Sequence, residues 1–159
     1  MKLRPALRWE FYFLERMVFE AFFWSLDHPR PEFKEFRQRP EFQAIIKGWG
    51  RDGDRAIVAT QRLRHAGAAW FRLWTEENHS YGFVDPAIPE LGIAVVKSYR
   101  YRGIGRKLLR RVVDIAEADG YPAISLSVDP RNFAKNLYES EGFVKVGESG
   151  TSWTLLRKF

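Results

Sequence analysis

The sequence contains no cysteine and only three histidines in 159 residues. The absence of cysteine excludes a disulfide scaffold, a thiolate nucleophile and cysteine-ligated zinc or iron–sulfur sites. The histidines His28, His65 and His79 stand far apart and lack metal-ligand spacing, so we expect no metal. No apolar run approaches the roughly 18–20 residues of a membrane span, and the first residues lack the apolar region of a signal peptide. We therefore expect a cytoplasmic protein with no membrane partner.

Apolar residues, by contrast, are abundant. Hydrophobic residues make up 45% of the chain and aromatic residues 16%, which is enough apolar surface to offset the entropy cost of ordering one core. A chain of 159 residues has the length of one domain. We therefore predict a single domain over residues 1–159.

The net charge of +6 is concentrated in one segment. Seven basic residues and no acidic residue lie between Lys97 and Arg111, so the rest of the chain sums to −1. A local positive patch beside nearly neutral surroundings indicates one anionic partner bound at one place. The alternative interpretation is a solvated basic helix face without a ligand.

The spacing of apolar residues and breakers gives the order of the elements. It predicts helices over residues 10–24, 32–49, 103–119 and 132–140. It predicts strands over residues 56–60, 68–74, 90–96, 123–128, 143–146 and 151–156. This order predicts an α+β fold in α/β/α layers, with a mixed, largely antiparallel sheet of about six or seven strands and helices on both faces.

Two glycine-containing segments differ in their meaning. Residues 48–53 fit G-x-G-x-x-G, but they follow a helix and open a strand, the reverse of a dinucleotide-binding motif, so we interpret them as a turn. Gly103 and Gly105 lie where a basic loop after the strand 90–96 becomes a helix. Free N–H groups at a helix N-terminus attract anions, and glycine lets a phosphate approach the backbone. This segment indicates a pyrophosphate cradle, with an unliganded strand-to-helix turn as the alternative.

The sequence Arg100-x-x-Gly103-x-Gly105 resembles the R/Q-x-x-G-x-G/A signature of the GNAT superfamily of N-acetyltransferases. Residues 132–143, NFAKNLYESEGF, are similar to the second motif of that superfamily, N-x-A-x-x-L-Y-E-x-x-G-F. The resemblance covers residues 90–159, whereas the N-terminal half agrees only in the order of its elements. Tyr101 departs from the pattern, because many relatives have glycine there.

The resemblance implies an acetyl-CoA-dependent N-acetyltransferase that transfers acetyl directly from the thioester to an amine. Residues 90–159 would then bind acetyl-CoA, and residues 1–89 would line the acceptor side. The strand 90–96 would pair with the pantetheine arm, and a backbone N–H near Val95 would polarise the thioester carbonyl. Arg106, Arg110 or Arg111 would reach the 3′-phosphate. The implied coenzyme-binding residues are Val95, Val96, Arg100, Arg102, Gly103, Ile104, Gly105, Arg106, Lys107 and Asn132.

Two residues are implied as catalytic. Tyr138, in the second motif, would protonate the departing thiolate, and the alternative is a core aromatic residue. Glu90, at the start of the strand, would take the proton of the amine directly or through water, and the alternative is a solvated strand end. Asn132 is expected to cap a short helix and also to lie against the pantetheine arm.

Other functions and partners are left open by the sequence. The basic segment and the aromatic residues also fit a nucleic-acid- or ribosome-binding module, but no nucleic-acid motif supports it. A non-catalytic acyl-CoA-binding member of the same fold is a further alternative. The aromatic residues of the N-terminal half indicate either an apolar or aromatic acceptor or plain core packing. The amine acceptor, a small molecule or a peptide, is not identified by the sequence, and a homodimer is one option for the assembly.

Overall fold

The structure is a computed structural model that describes all 159 residues. Seven strands and five α-helices alternate along the chain. They are β1 (Lys2–Pro5), α1 (Phe11–Phe22), α2 (Phe33–Phe36), α3 (Pro40–Ile46), β2 (Arg55–Gln61), β3 (Arg64–Arg72), β4 (Glu90–Val95), α4 (Ile104–Ala118), β5 (Ala123–Val128), α5 (Ala134–Ser140), β6 (Val144–Ser149) and β7 (Ser152–Lys158). No helix is long and apolar enough to cross a membrane.

The strands form one mixed sheet in the order β1-β2-β3-β4-β5-β7-β6. Every neighbouring pair is antiparallel except β4 and β5, which are parallel. Parallel neighbours need a crossover connection, and α4 supplies it. The predicted α+β fold with a mixed, largely antiparallel sheet is confirmed.

Helices cover both faces of the sheet and divide the core into two clusters. On one face α1, α2 and α3 bury an aromatic-rich cluster around Phe19, Phe36 and Phe42. On the other face α4 packs Leu108 and Val112 against the sheet. Apolar residues recur on α4 at three- and four-residue spacing, so one stripe faces the sheet and the basic residues face solvent. Helix α5 adds to this second cluster through Tyr138.

The structure corrects the predicted elements at two places. The single helix predicted over residues 32–49 is instead two helices, α2 and α3, because Pro40 lacks an N–H and occupies the first position of α3. Strand β1 was not predicted, since four residues near the N-terminus carry too short a pattern. The turn predicted over residues 48–53 is present, with positive φ at Gly48, Gly50 and Gly53.

A buried carboxylate fixes the N-terminal strand to the rest of the fold. The Glu10 side chain accepts two hydrogen bonds from Arg4, at 2.7 and 2.9 Å, and one from the Leu7 N–H at 2.8 Å. His65 Nε2 lies 2.5 Å from the second carboxylate oxygen. The Arg4 guanidinium, with the other donors, lowers the pKa of Glu10 to about 2 although burial opposes this. The cluster joins β1, the start of α1 and β3.

We predict that Glu10→Gln lowers the free energy of unfolding by about 1–2 kcal/mol, because it removes the charge that Arg4 and the Leu7 N–H bind, while the one-third exposed Arg4 side chain keeps contact with water. A carboxylate whose pKa falls on folding stabilises the fold above its unfolded pKa near 4.5, and that contribution is lost as the pH falls toward 2. Urea unfolding at pH 7 and pH 3 measures both effects. The exposed pair of Glu35 and Arg39 gives the control, Glu35→Gln, which we expect to change stability by less than about 0.5 kcal/mol. An equal effect of both substitutions at pH 7 would contradict this account.

Candidate active site

Strands β4 and β5 meet at one end and then diverge. Their ladder has a single register pair, Glu90 opposite Ser125. The backbone N–H and C=O groups of the even-numbered residues of β4 point toward β3, as the hydrogen bond from the Val96 N–H to the Ala66 carbonyl shows. The alternation of a strand therefore leaves the N–H groups of Ile93 and Val95 facing the gap without a partner strand. An extended chain of a ligand fits such an edge as an added strand would.

A cavity of about 490 Å³ lies where the two strands begin to separate, on the face covered by α1. Gly92 of β4 and Val128 of β5 lie on its two sides, and Phe22 and Trp24 close it from the end of α1. Its volume lies within the range of small-molecule sites. Residues of both strands line the cavity, so it lies at the splay between β4 and β5.

Glu90 lies in this cavity, at the point where the two strands separate. Its carboxylate accepts hydrogen bonds from the indole Nε1–H of Trp74 at 2.9 Å and from the Gly82 N–H at 3.1 Å. Burial raises the pKa of Glu90 to about 7, and these two donors only partly oppose it. No cation pairs with the carboxylate, so Glu90 is suited to exchange a proton near neutral pH.

The loop that follows β3 holds Glu90 in this position. The Gly82 carbonyl accepts a buried hydrogen bond of 2.7 Å from the Ser125 hydroxyl of β5, which ties the loop to the sheet. A Cβ on Gly82 would lie 2.7 Å from a Glu90 oxygen, so only glycine allows this approach. The sequence gives no signal for this contact, because seven residues of irregular loop separate Gly82 from Glu90.

Trp70 of β3 forms part of the cavity floor. Its indole lies across Gly92, where an added Cβ would come within 2.5 Å of the ring. The Trp70 side chain is almost fully buried, and its Nε1–H has no acceptor in the protein. Every polar side-chain atom that is completely buried has a hydrogen-bond partner, so this nitrogen is not completely buried. The indole N–H therefore reaches the open space of the cavity. Core packing alone explains the burial of the Trp70 ring, but it does not explain why the indole N–H is left without an acceptor.

At the far end of β4 the chain presents a row of free backbone N–H groups. None of the six N–H groups from Tyr101 to Arg106 has an acceptor within the protein, whereas the Lys107 N–H donates to the Gly103 carbonyl at 3.2 Å. Gly103 has a φ of +80°, which turns the chain into α4, and Tyr101 adopts a φ of +63°. A left-handed tyrosine costs about 1 kcal/mol that glycine would avoid. Consecutive N–H groups at a helix start form an anion site.

Space for an anion is present at this turn. A Cβ added to Gly105 would meet only Leu137 and Val95 side chains, at 3.7 and 3.8 Å, and one added to Gly103 would meet nothing within 4 Å. A side chain at either glycine would therefore project into open space beside the turn. The sequence prediction of a phosphate cradle here agrees with this geometry, except that the Lys107 N–H is already bonded.

The basic side chains of the segment differ in their partners. Arg100 donates from Nε to the Val95 carbonyl at 3.0 Å and approaches Glu20 of α1 at 3.5 Å. Arg106 and Arg110 both pair with Glu141, at the end of α5. These pairs lower the pKa of the Glu141 carboxyl, with Arg110 as the main cause.

Four other cations have no acidic partner within 4 Å. They are Lys97, Arg102, Lys107 and Arg111. The segment is therefore partly neutralised, and the free cations flank the row of N–H groups rather than covering all of α4. Of the three arginines expected to reach a 3′-phosphate, Arg111 alone is free of an acidic partner.

Asn132 lies just before α5, and Tyr138 lies within it. The Asn132 side-chain oxygen accepts the N–H of Ala134, the first residue of α5, at 3.0 Å. The N-cap position is Phe133 rather than the predicted Asn132, and Asn132 also lines the cavity. Tyr138 packs into the α4 face of the core, with its ring centroid 6.1 Å from that of Phe143. Its hydroxyl has no hydrogen-bond partner in the protein, and burial raises its pKa to about 12.

A comparison with known structures finds the same fold in several acetyltransferases. The ribosomal-protein-alanine N-acetyltransferase of Brucella melitensis is 19% identical, with a TM-score of 0.70 and 100% of both chains covered. PaiA N-acetyltransferase from Thermoplasma acidophilum, in complex with coenzyme A, is 15% identical, with a TM-score of 0.75 over 99% of this chain and 98% of that one. YncA from Salmonella typhimurium, with acetyl-CoA, is 17% identical, with a TM-score of 0.69 over 99% and 93%.

The family follows from the sequence. The model of the Acetyltransferase (GNAT) family matches residues 12–143, which is most of the chain. The protein belongs to the GNAT acetyltransferase family, as the two motifs indicated. The match extends through the N-terminal half, where the sequence resemblance was weak. The comparison with curated protein sequences finds no significant match.

Proposed function

We propose that this protein is an acetyl-CoA-dependent N-acetyltransferase that transfers the acetyl group directly to an amine in a ternary complex. One observation carries the proposal: the two ends of β4 present the two halves of such a site. The row of free N–H groups from Tyr101 to Arg106 lies beyond one end. Glu90, whose burial raises the pKa of its carboxyl to about 7, lies at the other. Val95 lies five positions after Glu90 on β4, which is about 16 Å at the usual rise per residue.

The coenzyme would lie along this edge. The pyrophosphate would be held by backbone N–H groups, those of Arg102, Gly103, Ile104, Gly105 and Arg106. The free N–H groups of Ile93 and Val95 would pair with the pantetheine arm. Two proteins with this fold, PaiA N-acetyltransferase in complex with coenzyme A and YncA with acetyl-CoA, support coenzyme binding by the fold. Acetyl-CoA supplies an activated thioester carbonyl, and no metal-binding group of side chains is present.

The side chains of the loop and α4 would act less directly. Arg100 donates hydrogen bonds to the Val95 carbonyl and to Glu20. It would therefore position the end of β4, including Val96, rather than contact a phosphate. Arg106 pairs with Glu141 and joins α4 to α5. Lys107 is free to face the 3′-phosphate.

Glu90 would act as the general base. An amine is mostly protonated at neutral pH and must lose a proton before it attacks the thioester. A carboxylate with a pKa of about 7 can accept that proton and still be half ionised near pH 7. The Trp74 and Gly82 donors fix the direction of the carboxylate. Holding amine and thioester together in the cavity supplies most of the remaining rate enhancement.

Tyr138 would donate a hydrogen bond to the departing sulfur. A phenol with a pKa of about 12 stays protonated throughout the working range, as a donor requires. Complete transfer of its proton to a free thiolate, whose conjugate acid has a pKa near 8.5, is uphill by several kcal/mol. The role is therefore stabilisation of developing charge, with solvent completing the protonation.

Acetylation is tested by thiol release from acetyl-CoA with a panel of primary amines, and Glu90→Gln is the decisive variant. The wild-type kcat/KM is expected to rise with pH through an apparent pKa near 7, because Glu90 must be deprotonated to act. Glu90→Gln is expected to lower kcat about 100-fold and to remove this limb. Glu77→Gln, in the exposed part of the same loop, serves as the control and should keep both. An unchanged pH profile in Glu90→Gln assigns the proton transfer to water.

Binding of the coenzyme depends on the turn before α4. Gly105→Glu places a carboxylate where the pyrophosphate would lie, and we expect the affinity for coenzyme A to fall at least 100-fold in calorimetry while circular dichroism stays unchanged. Gly147→Glu is the matched control, because an added Cβ there meets nothing within 4 Å on β6. Equal affinities in both variants would remove the phosphate assignment. Tight nucleic-acid binding without coenzyme binding would favour the alternative function.

The role of Tyr138 is tested by Tyr138→Phe, which keeps the buried ring and removes only the hydroxyl. We expect kcat to fall roughly 10- to 100-fold at unchanged affinity for acetyl-CoA, since a donor to the leaving sulfur is lost. The fall should be constant between pH 6 and pH 9, because the phenol does not titrate there. Pre-steady-state measurements show whether the chemical step, rather than product release, limits kcat. Full activity of Tyr138→Phe would make Tyr138 a packing residue.

A further inference from the structure

The aromatic walls of the cavity include rings that the fold does not use. Trp24, after α1, and Tyr81, in the loop before β4, both line the cavity. Neither ring belongs to either core cluster or stacks on another aromatic residue. Tyr81 is 51% exposed. By comparison Phe22 and Trp70, which also line the cavity, are packed against the core. Two aromatic rings without structural partners at the mouth of a cavity offer their faces to a ligand.

The charges of the cavity leave one anion free. The Arg72 guanidinium donates to Asp54 at 2.7 and 2.9 Å and to two backbone carbonyls, so all of its nitrogens are occupied. Asp129 accepts a bidentate pair from Arg131, at 2.7 and 3.0 Å. Glu90 alone has no cation partner. The lining therefore contains one unpaired acid and no unpaired guanidinium.

The remaining ionisable residue of the cavity does not alter this balance. His28 is exposed at the rim, beside the Asp129 carboxylate, whose pKa lies below its usual range mainly because of Arg131. A second ammonium group on a substrate would therefore find no free carboxylate, and a substrate carboxylate would find no free arginine. Burying either charge unpaired is costly, so both are selected against.

These observations deepen the N-acetyltransferase function proposed above and rest on it. We propose that the acceptor is a compact monoamine with an aromatic body and without a carboxylate, whose ring lies against Trp24 and Tyr81 and whose amine faces Glu90. Such a molecule matches one unpaired acid and two unused rings. A polyamine would bring a further ammonium group and an α-amino acid a carboxylate that the lining does not pair, and the backbone of a peptide would not use the two ring faces.

The proposal is tested with 2-phenylethylamine as the probe, against spermidine, phenylalanine and a tripeptide. Thiol release should give a kcat/KM for 2-phenylethylamine at least tenfold above that of each comparator. Calorimetry on the protein saturated with coenzyme A measures binding of the probe without turnover. Trp24→Ala and Tyr81→Ala should each weaken this binding about fivefold to tenfold and leave the affinity for coenzyme A unchanged. Trp9→Ala, a 70% exposed tryptophan remote from the cavity lining, is the control and should change neither affinity.

The outcomes separate this proposal from the proposed function. A tenfold preference for spermidine or the peptide, or unchanged binding of 2-phenylethylamine in both cavity variants, overturns the aromatic-monoamine class while acetyl transfer still stands. Binding of 2-phenylethylamine that Trp24→Ala weakens, without acetylation of any amine, supports the recognition and overturns the catalytic proposal. Absence of binding of 2-phenylethylamine to the saturated protein overturns the inference.

Discussion

The single register pair between β4 and β5 is the constraint on which the site depends. Glu90 and Ser125 join the two strands at one end, and the absence of further pairing lets them diverge. The divergence exposes the backbone of β4, opens the cavity beside α1 and sets Glu90 at the narrow end. A fully paired sheet of the same order would close the cavity and leave no free backbone on β4. The loop through Gly82 maintains this geometry, since it bonds to both strands.

The fold was largely predictable because its long elements carry regular patterns. The apolar stripe of α4 and the runs of β4 and β5 each determine their element, and the two glycines mark the start of α4. The errors fell on short elements. Pro40 divides a helix that the apolar periodicity alone makes continuous. Strand β1 owes its place to pairing with β2 and to the Arg4–Glu10 contact, which come from distant parts of the chain.

The candidate site was predictable in its backbone and less so in its side chains. Gly103 and Gly105 stand at fixed positions in a local motif, so the strand-to-helix turn follows from neighbouring residues. The environment of Glu90 does not, because Trp74 and Gly82 reach it from an irregular loop. The free indole N–H of Trp70 depends on the missing side chain of Gly92 on the next strand. Contacts between strands of this kind require the three-dimensional register, which spacing along one sequence does not contain.

The pairing of Arg106 and Arg110 with Glu141 changes how the protein meets its ligands in solution. At physiological ionic strength the field of exposed charges decays over about 8 Å, so an approaching anion experiences the local sum of neighbouring charges. Glu20 and Glu141 offset part of that sum, which weakens long-range steering of a polyanion toward α4. At the proposed site, capture of a phosphate would then rely mainly on neutral backbone dipoles at close range. Salt screens such short contacts far less than it screens the field of a row of exposed arginines. This surface therefore favours a compact anion in direct contact with the backbone over a long polyanion attracted from a distance.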